Sequence, residues 1–223
     1  LASLPPSHPD APDARIALVS ALISTGANEE AVNICKQALG TTLSPTDSRT
    51  AKVTCAEADE RSGRWAEALA VYSDVLYHDD TPADLIVDAA LGAGRAAWQT
   101  SGPSASAELL AVGLYRVESA RDRLPLLSAR IQMLQSAGDT NALRAAEDER
   151  NALADEAPEV AWSAFLESAG QARSQGEPAN AVTLLTKALD LPLSTSQRAR
   201  VLVELGGASL DLGDLGQAEQ RLN

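Results

Sequence analysis

Six glycines recur along the chain at nearly constant spacing, and that recurrence constrains the fold more than any other feature. Gly26, Gly63, Gly102, Gly138, Gly176 and Gly213 are separated by 37, 39, 36, 38 and 37 residues. Each stands five residues before a shared position, held by Ala31, Ala68, Ala107, Leu143, Ala181 and Ala218. A period of this length, with a small residue at a fixed offset from a glycine, marks an architecture in which one supersecondary unit is stacked on copies of itself.

The unit is a pair of helices. After Gly63, the residues Trp65, Ala68, Leu69, Tyr72, Val75 and Leu76 recur at spacings of three and four, which puts them on one helical face. Before Gly213, Leu202, Leu205, Gly206 and Ser209 do the same, with Ser194, Thr195 or Ser196 available as N-cap and Pro192 closing the preceding helix. Gly213 then supplies the left-handed backbone that a tight turn needs. Pro5, Pro6, Pro9 and Pro12, then Pro45, Pro82, Pro125, Pro158 and Pro192, fall before the first helix of successive units. Units are expected at 12–44, 45–81, 82–121, 122–157, 158–193 and 194–223, in a single repeat domain, with Leu1 to Leu4 as the tail of a preceding helix.

Composition agrees with an all-α fold. Ala and Leu supply most of the 45% apolar content, aromatic residues make up 3%, and Phe165 is the sole phenylalanine. Closely packed helices use such residues; sandwiches favour β-branched and aromatic ones. Eighteen basic residues against 31 acidic ones give a formal charge of -13, which repels phosphate backbones and anionic lipid surfaces. Nucleic acid is therefore not an expected partner. No stretch approaches the roughly 20 apolar residues needed to cross a bilayer, so membrane insertion is not expected either. Leu1 opens without the sections of a secretory signal, and Gln217 to Asn223 stops without a helix terminator, so a window from a longer protein is expected. The Ala- and Arg-rich, Lys-poor composition suggests a GC-rich, bacterial genome.

Gly92, Gly94 and Ala97 have the spacing of a dinucleotide-binding turn, G-x-G-x-x-A. That turn works only between a strand and a helix N-terminus. Here Leu85, Asp88, Ala89, Gly92 and Ala96 continue one helical periodicity from a start near Pro82, with Thr81 as the expected cap. The glycines therefore fall inside a helix, Gly94 permitting a close helix crossing and Gly92 thinning a groove wall. No cofactor is expected.

The pattern resembles the tetratricopeptide repeat, whose unit of about 34 residues is a helix–turn–helix with Leu-Gly in its first helix and small residues where helices cross. Leu205-Gly206, Gly213 and Ala218 fit it, as do Ala169, Gly176, Ala181 and Ala188, and Ala56, Gly63, Ala68 and Tyr72. Departures are the longer period, Leu143 in place of alanine, Arg130-Ile131 in place of Leu-Gly, and Gly94-Arg95 in the third unit. The resemblance implies a right-handed superhelix, an α-α solenoid of about five and a half repeats, with first helices lining a concave groove.

Carrying that groove onto this sequence selects Ser20, Ile23, Glu57, Glu60, Arg61, Ala96, Gln99, Gln132, Gln135, Arg173 and Asp211 as partner-binding candidates. Ala89, Gly92, Leu166, Gly170, Arg200, Val203 and Gly207 fall on the same surface. Some members of the family grip a C-terminal carboxylate with Lys, Asn and Arg. The matching positions here hold Ile16, Ser20, Val53 and Glu57, which disfavours a chaperone-tail receptor.

Cys35 and Cys55 fall on the apolar faces of neighbouring helices. They read first as small buried hydrophobes, the commonest role of free cysteine; a disulfide is geometrically open and would imply an envelope or extracellular compartment. His78-Asp79-Asp80 reads as a solvated loop, since adjacent loop residues rarely converge on a metal. The sequence contains no H-E-x-x-H, G-x-S-x-G or Walker-type run. Glu29-Glu30, Asp59-Glu60 and Glu147-Asp148-Glu149 are explained by helix-surface pairing. The expected function is a non-catalytic protein-interaction module or scaffold that binds a peptide or partner protein. The alternative is a regulatory or substrate-recruiting segment of a larger enzyme or signalling ATPase.

Overall fold

The computed structural model describes residues 11–39 and 45–213. Over these residues the chain is all-α, with eleven helices and no strand. In order they are α1 (Ala11–Ser24), α2 (Asn28–Leu39), α3 (Pro45–Arg61), α4 (Trp65–Tyr77), α5 (Ala83–Ser101), α6 (Pro103–Arg116), α7 (Ala120–Ala137), α8 (Thr140–Glu156), α9 (Pro158–Ser174), α10 (Pro178–Asp190) and α11 (Thr195–Asp211). The helix expected after Gly213, with Ala218, and the helix tail at Leu1 to Leu4 lie outside the described residues, as do Pro5, Pro6 and Pro9.

The turn between paired helices is fixed by its glycine. The six aligned glycines have φ between 74° and 90°, and among the described residues no other residue has a positive φ. At Gly26 the glycine N–H donates to Ile23 O and the Ala27 N–H to Leu22 O; Gly63 and Arg64 repeat the pattern onto Glu60 and Asp59. This is the Schellman arrangement, which satisfies the last carbonyls of the first helix only when the residue after its cap is left-handed. Helix starts are set by other means. Ser194 and Gln197 form a capping box on α11, Asp139 accepts from Ala142 N–H at the start of α8, and Pro103, Pro158 and Pro178 open α6, α9 and α10.

Two of these starts differ from expectation. Thr81 does not cap α5; its side chain is buried, and its hydroxyl donates to Val75 O at 2.8 Å, closing the end of α4 instead. Pro125 does not open α7 but lies inside it, because Ser119, whose Oγ accepts from the Asp122 N–H, starts that helix at Ala120. At its sixth position Pro125 leaves one carbonyl of the first turn without its usual donor.

The chain packs as two compact units, Leu1–Glu118 with Met133–Gly138, and Ser119–Gln132 with Asp139–Asn223. In the first, each of α1 to α5 packs on the next, and α3 also meets α1 and α5. Small residues make this close: Ala89, Ala90, Ala93, Ala96 and Ala97 of α5 are buried, and Tyr72, Leu76 and Leu110 fill the spaces between helices. Cys35 of α2 and Cys55 of α3 form a disulfide with Cα atoms 5.5 Å apart, so they are not the free buried thiols expected. In the second unit, Phe165, Leu185, Val201 and Leu205 join Leu124 and a set of alanines in one core. Buried Arg150 lies 5.1 Å from the centroid of the Phe165 ring, and burial lowers its pKa against the opposing charge of Glu147.

Candidate functional site

The first unit contains a cavity of about 940 Å³, walled by Val53, Thr54, Glu57, Glu60 and Arg61 of α3 and by Asp88, Leu91 and Arg95 of α5, with Trp65 and Tyr72 of α4 alongside. The helical period explains the two walls: Val53, Glu57 and Glu60, and Asp88, Leu91 and Arg95, recur at three and four residues and line one face each. Behind them the opposite faces of α3 and α5, with Ala56, Ala58, Ala89 and Ala93, are buried in the core.

An ion pair ties the walls together. Arg95 donates from Nε to Glu60 Oε1 at 2.6 Å and from Nη2 to Oε2 at 2.9 Å, a bidentate bond between neighbouring first helices. Glu60 is buried and also accepts from the Tyr72 hydroxyl at 3.1 Å. Hydrogen bonding to Glu60 raises the Arg95 pKa, and burial, followed by the charge of Glu60, raises that of Tyr72. Asp88 is different. Partial loss of hydration against the wall, then the like charges of Asp84 and Glu57, raise its pKa from the ordinary aspartate value, with Arg95 opposing.

A smaller cavity of about 430 Å³ in the second unit is lined by Ser163, Leu166, Glu167 and Gly170 of α9 and Arg200 and Glu204 of α11. Arg173 plays the part there that Arg95 plays in the first unit. It donates to Asp211 Oδ2 at 2.7 Å and to Glu204 Oε2 at 3.0 Å, joining α9 to α11. Its guanidinium passes over Gly207, where a Cβ would lie 3.0 Å from it.

Of the residues selected from the sequence, Glu57, Glu60 and Arg61 line the larger cavity. Ser20 is exposed and bonds its own helix at Ile16 O, whereas Ile23 packs against the core. Ala96 is fully buried and presents no surface; Gly92 is buried too, against the Tyr72 ring rather than in a groove wall. Gln99 is exposed, Gln132 and Gln135 are half-buried, and Arg173 and Asp211 are paired with each other. Asp88, Leu91 and Arg95 were missed by a register error of one residue along α5, about 100° of rotation. Among the described residues no three His, Cys, Asp or Glu side chains converge to hold a metal, and no helix is long and apolar enough to cross a membrane. His78 Nδ1 instead lies 3.3 Å from Arg49 Nη1.

The family model described as Tetratrico peptide repeat matches residues 13–96 and 162–223, more than half of the chain. The chain belongs to the tetratricopeptide repeat family. Tetratricopeptide repeats are protein-interaction modules, and the larger cavity lies wholly within the first matched segment. No curated protein matches the chain. Solved structures similar to this tetratricopeptide repeat protein include the TPR-like repeats of a Podosopora anserina kinesin light chain (16% identity, 97% of this chain and 93% of that one, TM-score 0.53). Pseudomonas aeruginosa pilF is similar at 17% identity over 95% of this chain and 89% of that one, TM-score 0.55. Human IFIT1, solved as a dimer with PPP-AAAA, is similar at 14% identity over 96% of this chain and 54% of that one, TM-score 0.52. At these identities the likeness is one of fold.

Proposed function

We propose that the chain is a non-catalytic interaction module that holds an extended peptide, or such a segment of a partner protein, in the cavity between α3 and α5. The observation that carries this reading is the cavity itself, built from two first helices of neighbouring repeats and offering both apolar and hydrogen-bonding side chains. The Arg95–Glu60 pair holds the two walls at a fixed separation, which limits the ordering cost of binding. IFIT1 was solved with PPP-AAAA, but Glu57 and Asp88 in the cavity and a chain charge of -13 favour a protein partner over a phosphate backbone here. The disulfide supports residence in an oxidising compartment.

A second docking surface has its own observation. Leu39, Tyr77 and Tyr115 are exposed, fall at intervals of 38 residues, and stand at the C-terminal ends of α2, α4 and α6. Tyrosines at repeat-equivalent exposed positions favour protein contact over solvent. The test is recovery of a partner from extracts of the source organism with wild-type chain, Glu57→Arg and Gln132→Arg. Loss with Glu57→Arg but not with Gln132→Arg, a residue of the second unit outside the cavity, supports the cavity; unchanged recovery with Glu57→Arg argues against it.

A further inference from the structure

We infer that the cavity of the first unit selects a cationic side chain, an arginine or lysine of the bound segment, and seats it against Asp88. This rests on the reading that the cavity holds a partner segment, and it adds which chemistry is chosen.

The charges in the cavity are not balanced. Both oxygens of Glu60 are taken by Arg95, and one also accepts from Tyr72. Arg61 reaches Glu57 at 3.5 Å, and their side chains are 60% and 41% exposed, so the pair is loose and readily exchanged. Asp88 has neither an ion pair nor a hydrogen bond from its side chain among the described residues, although it lines the cavity. The charged groups that act on it are Asp84 and Arg95 of its own helix and Glu57 of α3, and the only cation of these is engaged by Glu60. What remains unmatched is a carboxylate with carboxylates beside it. An anionic ligand group would be repelled there, whereas a cation would give the exposed Asp88 carboxylate the opposite charge that it lacks within the chain.

The apolar lining fits the same ligand. Trp65, Leu91 and Val53 border the cavity along with the carboxylates. Arginine and lysine carry long aliphatic stems that pack on such surface while the head stays with the charge, and the Trp65 ring offers a cation a favourable face. The volume lies within the range of about 300–1,000 Å³ typical of ligand sites, enough for a side chain with its flanking backbone.

The test is selection from a random dodecapeptide phage library on the 223-residue chain, on Asp88→Asn and on Glu57→Gln. A synthetic version of the strongest wild-type peptide is then titrated against all three. The expected result is a consensus with Arg or Lys at a shared position and at least about tenfold weaker binding by Asp88→Asn. Replacing that Arg by citrulline, or raising the salt to about 0.5 M, weakens binding in the same way. An acidic or uncharged consensus, or binding that Asp88→Asn leaves unchanged, overturns the selectivity for a cation while a peptide-holding cavity stands. Absence of any enriched peptide overturns the cavity reading and this inference together.

Discussion

The ring of Tyr72 occupies the space that a side chain on Gly92 would need: a Cβ built at Gly92 would come within 2.5 Å of Tyr72 Cε1. Both residues are buried, and the Tyr72 hydroxyl is held by Glu60, so displacing the ring breaks that bond as well as its packing. Gly92→Ala is therefore expected to lower stability by about 1–3 kcal/mol by overpacking, even though alanine is the better helix former by about 1 kcal/mol. Gly94→Ala, which meets the flexible Leu110 side chain at 3.2 Å, should be close to neutral. Urea unfolding of the two variants checks the contrast; equal effects would show that the ring does not set the cost.

Gly170→Ala should do the opposite. Gly170 lies inside α9, has an ordinary helical φ, and a Cβ there would meet nothing within 4 Å. The expected gain is about 0.5–1 kcal/mol, from helix propensity and a less flexible unfolded chain. A thermal melt at or below the wild-type midpoint would contradict this.

Tyr72 predicts alkaline lability. Its pKa in the folded chain is raised, chiefly by burial and then by the charge of Glu60. A raised value means that the contribution to stability is complete below the unfolded tyrosine pKa of about 10 and is lost as pH climbs above it, at about 1.4 kcal/mol per pH unit. Unfolding measured from about pH 8 to 11 should show this slope in the wild type and a shallower one in Tyr72→Phe. Identical slopes would remove Tyr72 as the cause.

Asp88 predicts a trade of stability for binding. Its raised pKa means that folding favours the protonated form, so its contribution is present below the unfolded value of about 3.9 and is lost as pH rises through the folded one. At neutral pH, Asp88→Asn should unfold at a higher temperature than wild type, and the difference should vanish in acid. Functional sites commonly carry such a cost.

The disulfide closes a loop over a separation of 20 residues, which stabilises the fold by about 3 kcal/mol if the loss of unfolded-state entropy dominates. Dithiothreitol, or the Cys35→Ser/Cys55→Ser double variant, should lower the unfolding midpoint accordingly. No change on reduction would show that the bond adds nothing to packing already present.

How much was legible in the sequence follows from how specific each physical requirement is. The turns were readable because only glycine takes a positive φ at no cost, and the six aligned glycines are the six that do so. The rotation of α5 was not. With Ala89, Ala90, Gly92, Ala93, Gly94, Ala96 and Ala97, small residues surround the helix, and apolar periodicity cannot choose between adjacent registers. The charged pair Asp88 and Arg95, seven residues apart on one face, was the signal that could have placed the groove. Cys35 and Cys55 were readable as neighbours, but proximity does not decide oxidation. The role of Thr81 depends on the tertiary path of the chain beyond α4, which local capping preference does not encode.

The central claim is that partner segments lie between α3 and α5. Amide chemical-shift mapping of the chain with a selected peptide tests it most directly. The account predicts perturbations clustered at Val53, Glu57, Arg61, Asp88, Leu91 and Arg95. Perturbations confined to the neighbourhood of Leu39, Tyr77 and Tyr115, with α3 and α5 silent, would contradict it.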